Sequence, residues 1–304
     1  MNFDKINIIT PISQGWSTSA LIANSAKKIG LSDLTIQYDR NYHTTFYLPH
    51  QRYKNSFTLI IKGDGIPTIN SLPQPVVCWN FDFDKPPDKE LVKAVDLYLT
   101  ICPEFVTEPN MKWLPQATDL SFFHHIPNAK QLYDVSFIGS PKPPRPEIIK
   151  ELRSKLNPIY SIIVRGEEWP QSIISESNWT KPAYYDTFNL IASQSKINLN
   201  FTQYSNFPTP SKTLSQRIFM LAACKSFIMC EKTPGLDYFF NCNENAELFP
   251  VDFNNITTLA KEVIPFYLKE DRHRRIIAER AYKKVLNYHL YEHRLLEMIK
   301  MINE

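Results

Sequence analysis

The 304 residues carry 34 Lys and Arg against 31 Asp and Glu, a net charge of +3, with 43% hydrophobic and 21% charged residues. That balance excludes a disordered chain and leaves material for two domains of ordinary size. A gripping nucleic-acid binder is disfavoured too, since that needs a concentrated basic face; a small phosphate-bearing ligand or an anionic surface suits the mild excess.

In chain order, short apolar runs alternate with stretches of helical period. Ile6–Ile9 reads as a strand, Ser17 as the N-cap of a helix with Ile22, Ala26 and Ile29 in register, and Gly30 as its stop. Leu34, Ile36 and Tyr38 alternate as a second strand. Phe57–Ile61, Val76–Trp79 and Leu97–Ile101 follow, the last after a helical stretch from Glu90 to Val95. The pattern pauses near Asn128–Leu132 and starts again with strand Val135–Ile138 and a helix through Ile148, Leu152 and Leu156. Then come strand Ile159–Val164, helix Tyr184–Gln194, strand Ile197–Phe201, helix Leu214–Ala223, strand Phe227–Cys230, a short apolar run Ala246–Phe249 and a helical tail with Ile277, Ala281 and Val285 in register. Strands separated by helices and apolar on both faces predict α/β architecture with parallel sheets, built twice with a joint near Lys130.

The first residues show no basic segment leading into an apolar one, and no run approaches ~18 apolar residues, so neither a signal peptide nor a membrane span is read. Five cysteines without a CxxC pair fit a reduced, cytoplasmic compartment. Seven histidines with no HExxH and no Cys/His cluster predict no metal site. The basic run Arg272–Arg275 sits in the helical tail and reads as a solvated face.

Ligands of open parallel sheets bind beyond the carboxyl ends of the strands, so the loops there hold the candidates. Gly139-Ser140-Pro141-Lys142 follows a strand and Arg145 opens a helix, which suits a phosphate; an ordinary turn with solvated basic residues is the alternative. Thr213 and Ser215, ahead of the apolar helix with Arg217, suit either a diphosphate or a plain N-cap. Asp82 and Asp84 follow a buried strand as a candidate general base and acceptor-orienting pair, or as a capped turn. Gly63-Asp64-Gly65 reads as a turn. His124, beside His125 near the joint, is a candidate acceptor contact or a structural residue. There is no P-loop, no GxGxxG and no nucleophile triad.

Several segments in the second half, taken in order, resemble CgeB-like (spore-maturation-type) glycosyltransferases. They are Tyr133–Ser140, Lys196–Phe201, Leu214–Phe219 with Leu221–Cys224, Thr233–Leu236, Asn245–Leu248 and the tail Tyr288–Arg294. Trp113–Asp119 resembles the run closing that family's first half, and Trp79–Asp82 resembles a turn within it; the likeness spans roughly Val76 to Met298. The resemblance implies GT-B architecture: two Rossmann-like domains facing a cleft, with residues 1–130 on the acceptor side, 131–285 on the donor side, and a closing helix, 286–304, returning to the first domain. It implies a metal-independent transfer of sugar from a nucleotide-sugar co-substrate, with no other cofactor, to an acceptor hydroxyl on a glycan, lipid-linked, protein or nucleic-acid molecule.

Carried over position by position, Gly139, Ser140 and Arg145 lie by the diphosphate, with Lys142 beside them. Arg217 and the Thr213–Ser215 turn approach it from the other side. Thr233, Pro234 and Gly235 border the donor sugar, and Glu247 the nucleotide. One departure stands out. Met220 replaces the family's Glu, which commonly holds the donor ribose, and Lys225 replaces a usual Gly. Met cannot accept a comparable hydrogen bond. Three readings remain: another group such as Glu247 holds the ribose, the donor is unusual, or the chain is a binding scaffold that kept the fold and lost turnover.

Overall fold

The computed structural model describes residues 3–11, 17–38, 55–61, 72, 74–82, 86–156, 158–170, 184–201 and 212–304. They form two compact units, one made of Met1–Asp119, Pro210–Thr213 and Leu290–Glu304, the other of Leu120–Thr209 and Leu214–His289.

The first unit is a six-stranded parallel sheet in the order β2-β1-β3-β4-β5-β6. Its strands are β1 (Lys5–Pro11), β2 (Ser32–Tyr38), β3 (Ser56–Ile61), β4 (Val76–Asn80), β5 (Leu97–Thr100) and β6 (Met111–Trp113). β3, β4 and β5 are buried along their whole length, as the continuous apolar runs require of a sheet covered on both faces. Helix α1 (Thr18–Lys28) begins at Ser17, whose hydroxyl accepts from the Ala20 amide at 3.3 Å. It ends as the sequence predicts. Gly30 takes φ +85°, its amide donates to Lys27 O and the Leu31 amide to Ala26 O, which is a Schellman stop. Helix α2 (Lys89–Ala94) is capped by Asp88.

The second unit is a five-stranded parallel sheet in the order β11-β10-β9-β7-β8. Its elements run β7 (Tyr133–Ile138), α3 (Arg145–Lys155), β8 (Ile162–Arg165), α4 (Tyr185–Gln194), β9 (Ser195–Asn200), α5 (Gln216–Ala223), β10 (Ile228–Glu231), α6 (Leu236–Phe239) and β11 (Phe249–Val251). The helical tail is four pieces: α7 (Ile256–Thr258), continuing through one π turn into α8 (Ile264–Lys269), then α9 (Asp271–Tyr288) and α10 (Tyr291–Asn303). The core packs Phe137, Phe201, Leu199, Ile197, Val164 and Trp169 against α3 and α7–α9. Phe137 stacks on Phe201 with ring centroids 4.4 Å apart.

Chain passage between the units falls at Leu120, ahead of the pause at Asn128–Leu132. Phe122 and Phe123 explain this: they pack on Tyr185 and Phe188 of α4, at 4.8 and 5.2 Å. The tail is not one helix either. At Leu290 the chain leaves helical geometry to bridge Thr118, and the Tyr291 amide donates to Thr118 O at 2.9 Å. Helix α10 then lies on α1. Asp119, fully buried, accepts from Asn24 and Ser25 at 2.8 Å each and from Lys28 Nζ at 2.7 Å, while Lys28 also reaches Glu292 at 3.1 Å. Arg294 Nε donates to Pro115 O at 2.9 Å. The run Trp113–Asp119 is therefore the anchor of α10. The basic run is corrected in one respect: Arg274 is buried, donating to Tyr267 O, to Leu268 O at 3.0 Å and to Asp271 at 3.0 Å, while Arg272 and Arg275 are exposed. Among the described residues no helix is long and apolar enough to cross a membrane.

Candidate active site in the second unit

Counted from β7, the sheet order of the second unit is 2-1-3-4-5, so its switch point lies between β7 and β9. Loops leave that point in opposite directions, which opens a crevice beyond the carboxyl ends of the two strands. Gly139 follows directly on β7 and Asn200 ends β9. Arg145, the first residue of α3, and Arg217, in the first turn of α5, bring their guanidinium groups to this place.

Arg145 is buried and Arg217 half-buried, and both lie over the Phe137 ring, Arg217 at 5.1 Å and Arg145 at 5.8 Å from its centroid. Arg217 donates to Asn200 Oδ1 at 3.3 Å. Arg145 donates to Ser140 O at 3.1 Å and Ser140 Oγ at 3.4 Å, and its buried Nε has no hydrogen-bond partner among the described residues. Among the described residues no carboxylate pairs with either. Burial, and next the Arg145 charge, push the Arg217 pKa down to about 9, opposed only by Cys230. Burial pushes Arg145 down to about 10, with Glu231 at the end of β10 pulling the other way. Two desolvated cations, one depressing the other's ionisation, with no carboxylate within ion-pair distance among the described residues, form a place suited to an anionic ligand.

The backbone is shaped to let the pair in. A Cβ on Gly139 would stand 2.7 Å from Arg217 Nη2 and 3.0 Å from its Cζ, so only glycine leaves Arg217 room. A Cβ on Gly166, just past β8, would run into the Gly139 carbonyl. That carbonyl accepts from Trp169 Nε1 at 2.7 Å, and the Gly139 amide donates to Arg165 O at 2.7 Å. Gly166, Trp169 and Asn200, none of them among the candidates read from the sequence, are thus part of the site. The signal was there for two of them. Gly166 is one of only seven glycines and follows a strand, and Asn200 lies in the strand run Ile197–Phe201, where its side chain alternates with apolar ones.

The other candidates are placed as follows. Ser140 is held by Arg145, and Lys142 is exposed at the start of α3. Ser215 caps α5, its hydroxyl accepting from the Arg217 amide at 3.4 Å, so it orients Arg217 locally. Thr213 falls in the first unit, and its hydroxyl is committed to Ile101 O at 2.7 Å. Thr233, past β10, keeps a buried hydroxyl without a partner among the described residues; Pro234 is exposed and Gly235 buried beside it. The Glu247 carboxylate closes its own loop by accepting from the Asn241 amide at 2.8 Å. Met220 is packed into the core of the second unit and presents nothing to a ligand.

Asp82 lies past the carboxyl end of β4 in the first unit, half-buried, its amide turned onto Asn80 Oδ1 at 2.9 Å. Asp84 and Gly63–Gly65 lie outside the described residues. His124 is exposed and belongs to the second unit, where its amide donates to Asn189 Oδ1 at 3.3 Å. Among the described residues no group of three or more His, Cys, Asp or Glu is arranged to hold a metal ion.

No curated protein matches the chain. Solved structures match over nearly its full length. A glycosyltransferase from Rickettsia africae is 11% identical with a TM-score of 0.67, covering 99% of this chain and 98% of its own. Sucrose-phosphate synthase from Thermosynechococcus elongatus is 10% identical with a TM-score of 0.64, covering 99% and 98%. Anabaena HepE, solved with UDP and glucose, is 11% identical with a TM-score of 0.63, covering 97% and 99%. The likeness shows a GT-B fold, two parallel-sheet α/β domains. A model of the glycosyl transferase-like family matches residues 145–300, which begin at Arg145, include Arg217 and make up just over half of the sequence. On that match the chain belongs to the glycosyl transferase-like family.

Proposed function

We propose that this protein transfers a sugar from a nucleoside-diphosphate sugar to an acceptor hydroxyl, and that the donor diphosphate sits between Arg145 and Arg217 at the switch point of the second sheet. The observation that carries the proposal is the pair of guanidinium groups, Arg145 buried and Arg217 half-buried, with no carboxylate in ion-pair distance of either among the described residues. Cleaving the bond between sugar and phosphate leaves negative charge on the departing diphosphate. Fixed cations in a dry pocket stabilise that charge more than water does, because they need not reorganise as it develops. Arg145 Nε, which has no partner among the described residues, supplies one of the donors. The Thr233 hydroxyl, likewise without one among them, supplies another on the donor-sugar side. HepE bound to UDP-glucose supports a uridine diphosphate sugar as the donor.

Met220 is buried where CgeB-like enzymes carry a ribose-binding Glu, so in this reading the ribose is held elsewhere. Asp82, past the end of β4, is the group we assign to the acceptor hydroxyl. Membership of the CgeB-like group itself is inferred from the order of its segments, and it gains support from Lys225. This residue stands where the group usually has Gly and takes φ 52°, the conformation glycine serves.

A thermal-shift screen against UDP-, GDP-, TDP-, ADP- and CMP-sugars tests the proposal, since a ligand bound only by the native state raises Tm. One nucleotide class giving a shift that Arg217→Met removes is the expected result. No shift with any of them contradicts the reading.

A further inference from the structure

At the opposite, amino end of the second sheet lies a cavity of about 440 Å³. Its wall is formed by Ser195 and Lys196 at the start of β9, Lys225 and Ser226 before β10, and Arg274 and Arg275 in the first turns of α9. β9 runs from Ser195 in this wall to Asn200 in five steps, so about 16 Å of strand stands between the cavity and the Arg145–Arg217 site. The volume suits a small metabolite, and the lining is polar rather than apolar.

The charges in and around this wall are undercompensated. Asp271 is shared by Arg274, at 3.0 Å, and Arg275, at 2.8 Å. Glu279 is shared by Lys225, at 3.1 Å, and Lys283, at 3.9 Å. Four cations thus rest on two carboxylates, while Lys196 is matched by Asp134 at 2.7 Å. Helix α9 carries six Lys and Arg against two acidic residues, a net of +4, whereas the whole chain carries +3. The positive excess of the protein is concentrated here, and a dianion would balance the two uncompensated charges.

Lys225 supplies an independent observation. Helix α5 ends in the same Schellman stop as α1: the Lys225 amide donates to Ala222 O and the Ser226 amide to Leu221 O, each within 3.1 Å. At α1 the left-handed position is glycine, φ +85°; at α5 it is lysine, φ 52°. A side chain there strains the backbone, and glycine would relieve it. The strained residue is the one that puts an ammonium into the cavity wall, where it lies 4.6 Å above the Tyr282 ring.

We propose that this cavity is a second ligand site, for a phosphate monoester, with Lys225 as its central cation. The class follows from the chemistry: a phosphate monoester is a compact dianion near neutral pH and accepts several charge-assisted hydrogen bonds at once. The test uses the full chain carrying Arg217→Met, which disables the other anion site. It is titrated with glycerol 3-phosphate by calorimetry and, in a second arm, co-sedimented with phosphatidic acid vesicles. Saturable binding in either arm that weakens at least tenfold on adding Lys225→Gly supports the site. The responding arm then names the source, free metabolite or lipid headgroup. Lys225→Gly removes the ammonium while giving the backbone the residue it favours, so loss of binding is not loss of fold; an unchanged Tm confirms that. Absence of Lys225-dependent binding in both arms overturns the proposal.

Discussion

Replacing Arg217 with Met separates what this residue does for the fold from what it does for a ligand. Met keeps the length and much of the contact with Phe137, 5.1 Å from the guanidinium, and removes the charge. The pKa of Arg217 is pushed down to about 9, first by desolvation and second because Arg145 is near. At 1.36 kcal/mol per pH unit, holding the charged form in the fold costs at most about 5 kcal/mol, less where solvent reaches the half-buried side chain. The hydrogen bond to Asn200 and the stacking on Phe137 offset part of this, leaving a net gain of about 1–3 kcal/mol on neutralising the site, as for other ions replaced by apolar groups. The sign with pH is fixed. A cation whose folded pKa is lowered destabilises the native state at every pH below that pKa, and the cost fades as pH rises above about 9 toward the ordinary arginine value. The stability gap between variant and wild type should therefore be constant from pH 6 to 8. Ligand binding should move the other way. A charged hydrogen bond contributes roughly 1.5–3 kcal/mol, so UDP affinity should fall about 10- to 150-fold. Urea denaturation and calorimetric titration with UDP measure the two effects. A variant that is less stable than wild type and binds UDP unchanged would refute the reasoning.

Three further outcomes are expected. Gly166→Ala drives a methyl group into the Gly139 carbonyl, backbone against backbone, and should lower stability by about 2–3 kcal/mol, read as a lower urea midpoint with an unchanged slope. Lys28→Met removes the ammonium 2.7 Å from the buried Asp119 carboxylate, which Asn24 and Ser25 serve only as neutral donors, and should cost about 2–3 kcal/mol, with faster amide exchange in α10 than in the strands of the first sheet. Burial raises the Asp134 pKa, but Lys196 and Ser161 outweigh it and hold the carboxyl below its usual 3.8. The stability it contributes is present above that value and lost as pH falls through the lower, folded pKa. Asp134→Asn should thus cost up to about 1 kcal/mol at pH 7 and less at pH 3, by denaturation at the two pH values.

Much of the architecture was legible because local chemistry and global fold agree. Scarce glycine made Gly30 and Gly139 stand out, and the structure uses the first as a helix stop and the second as clearance for Arg217. Continuous apolar runs such as Val76–Trp79 read as sheet strands covered on both faces, and they are. What stayed hidden depends on contacts distant in sequence. No local pattern says that β7 pairs with β9 as well as β8, yet that pairing creates the switch point where Arg145 and Arg217 meet. Gly166 matters only because the Gly139 carbonyl lies against it, and Thr213 is spent on a carbonyl more than a hundred residues away. A separate closing helix was implied by the resemblance, from residue 286; the break falls a few residues later, because Leu290 leaves the helix to meet Thr118. Met220 and Lys225 were visible as departures from a resemblance. Only the structure shows that the first is core and the second a strained helix stop.

The most direct measurement of the central claim is release of nucleoside diphosphate from the nucleotide sugar that shifts Tm most, followed with the wild type and with Arg145→Met/Arg217→Met. Release by the wild type, lost in a double variant that remains folded, is the result the account predicts. No release by the wild type from any donor, or equal release by the double variant, would contradict it.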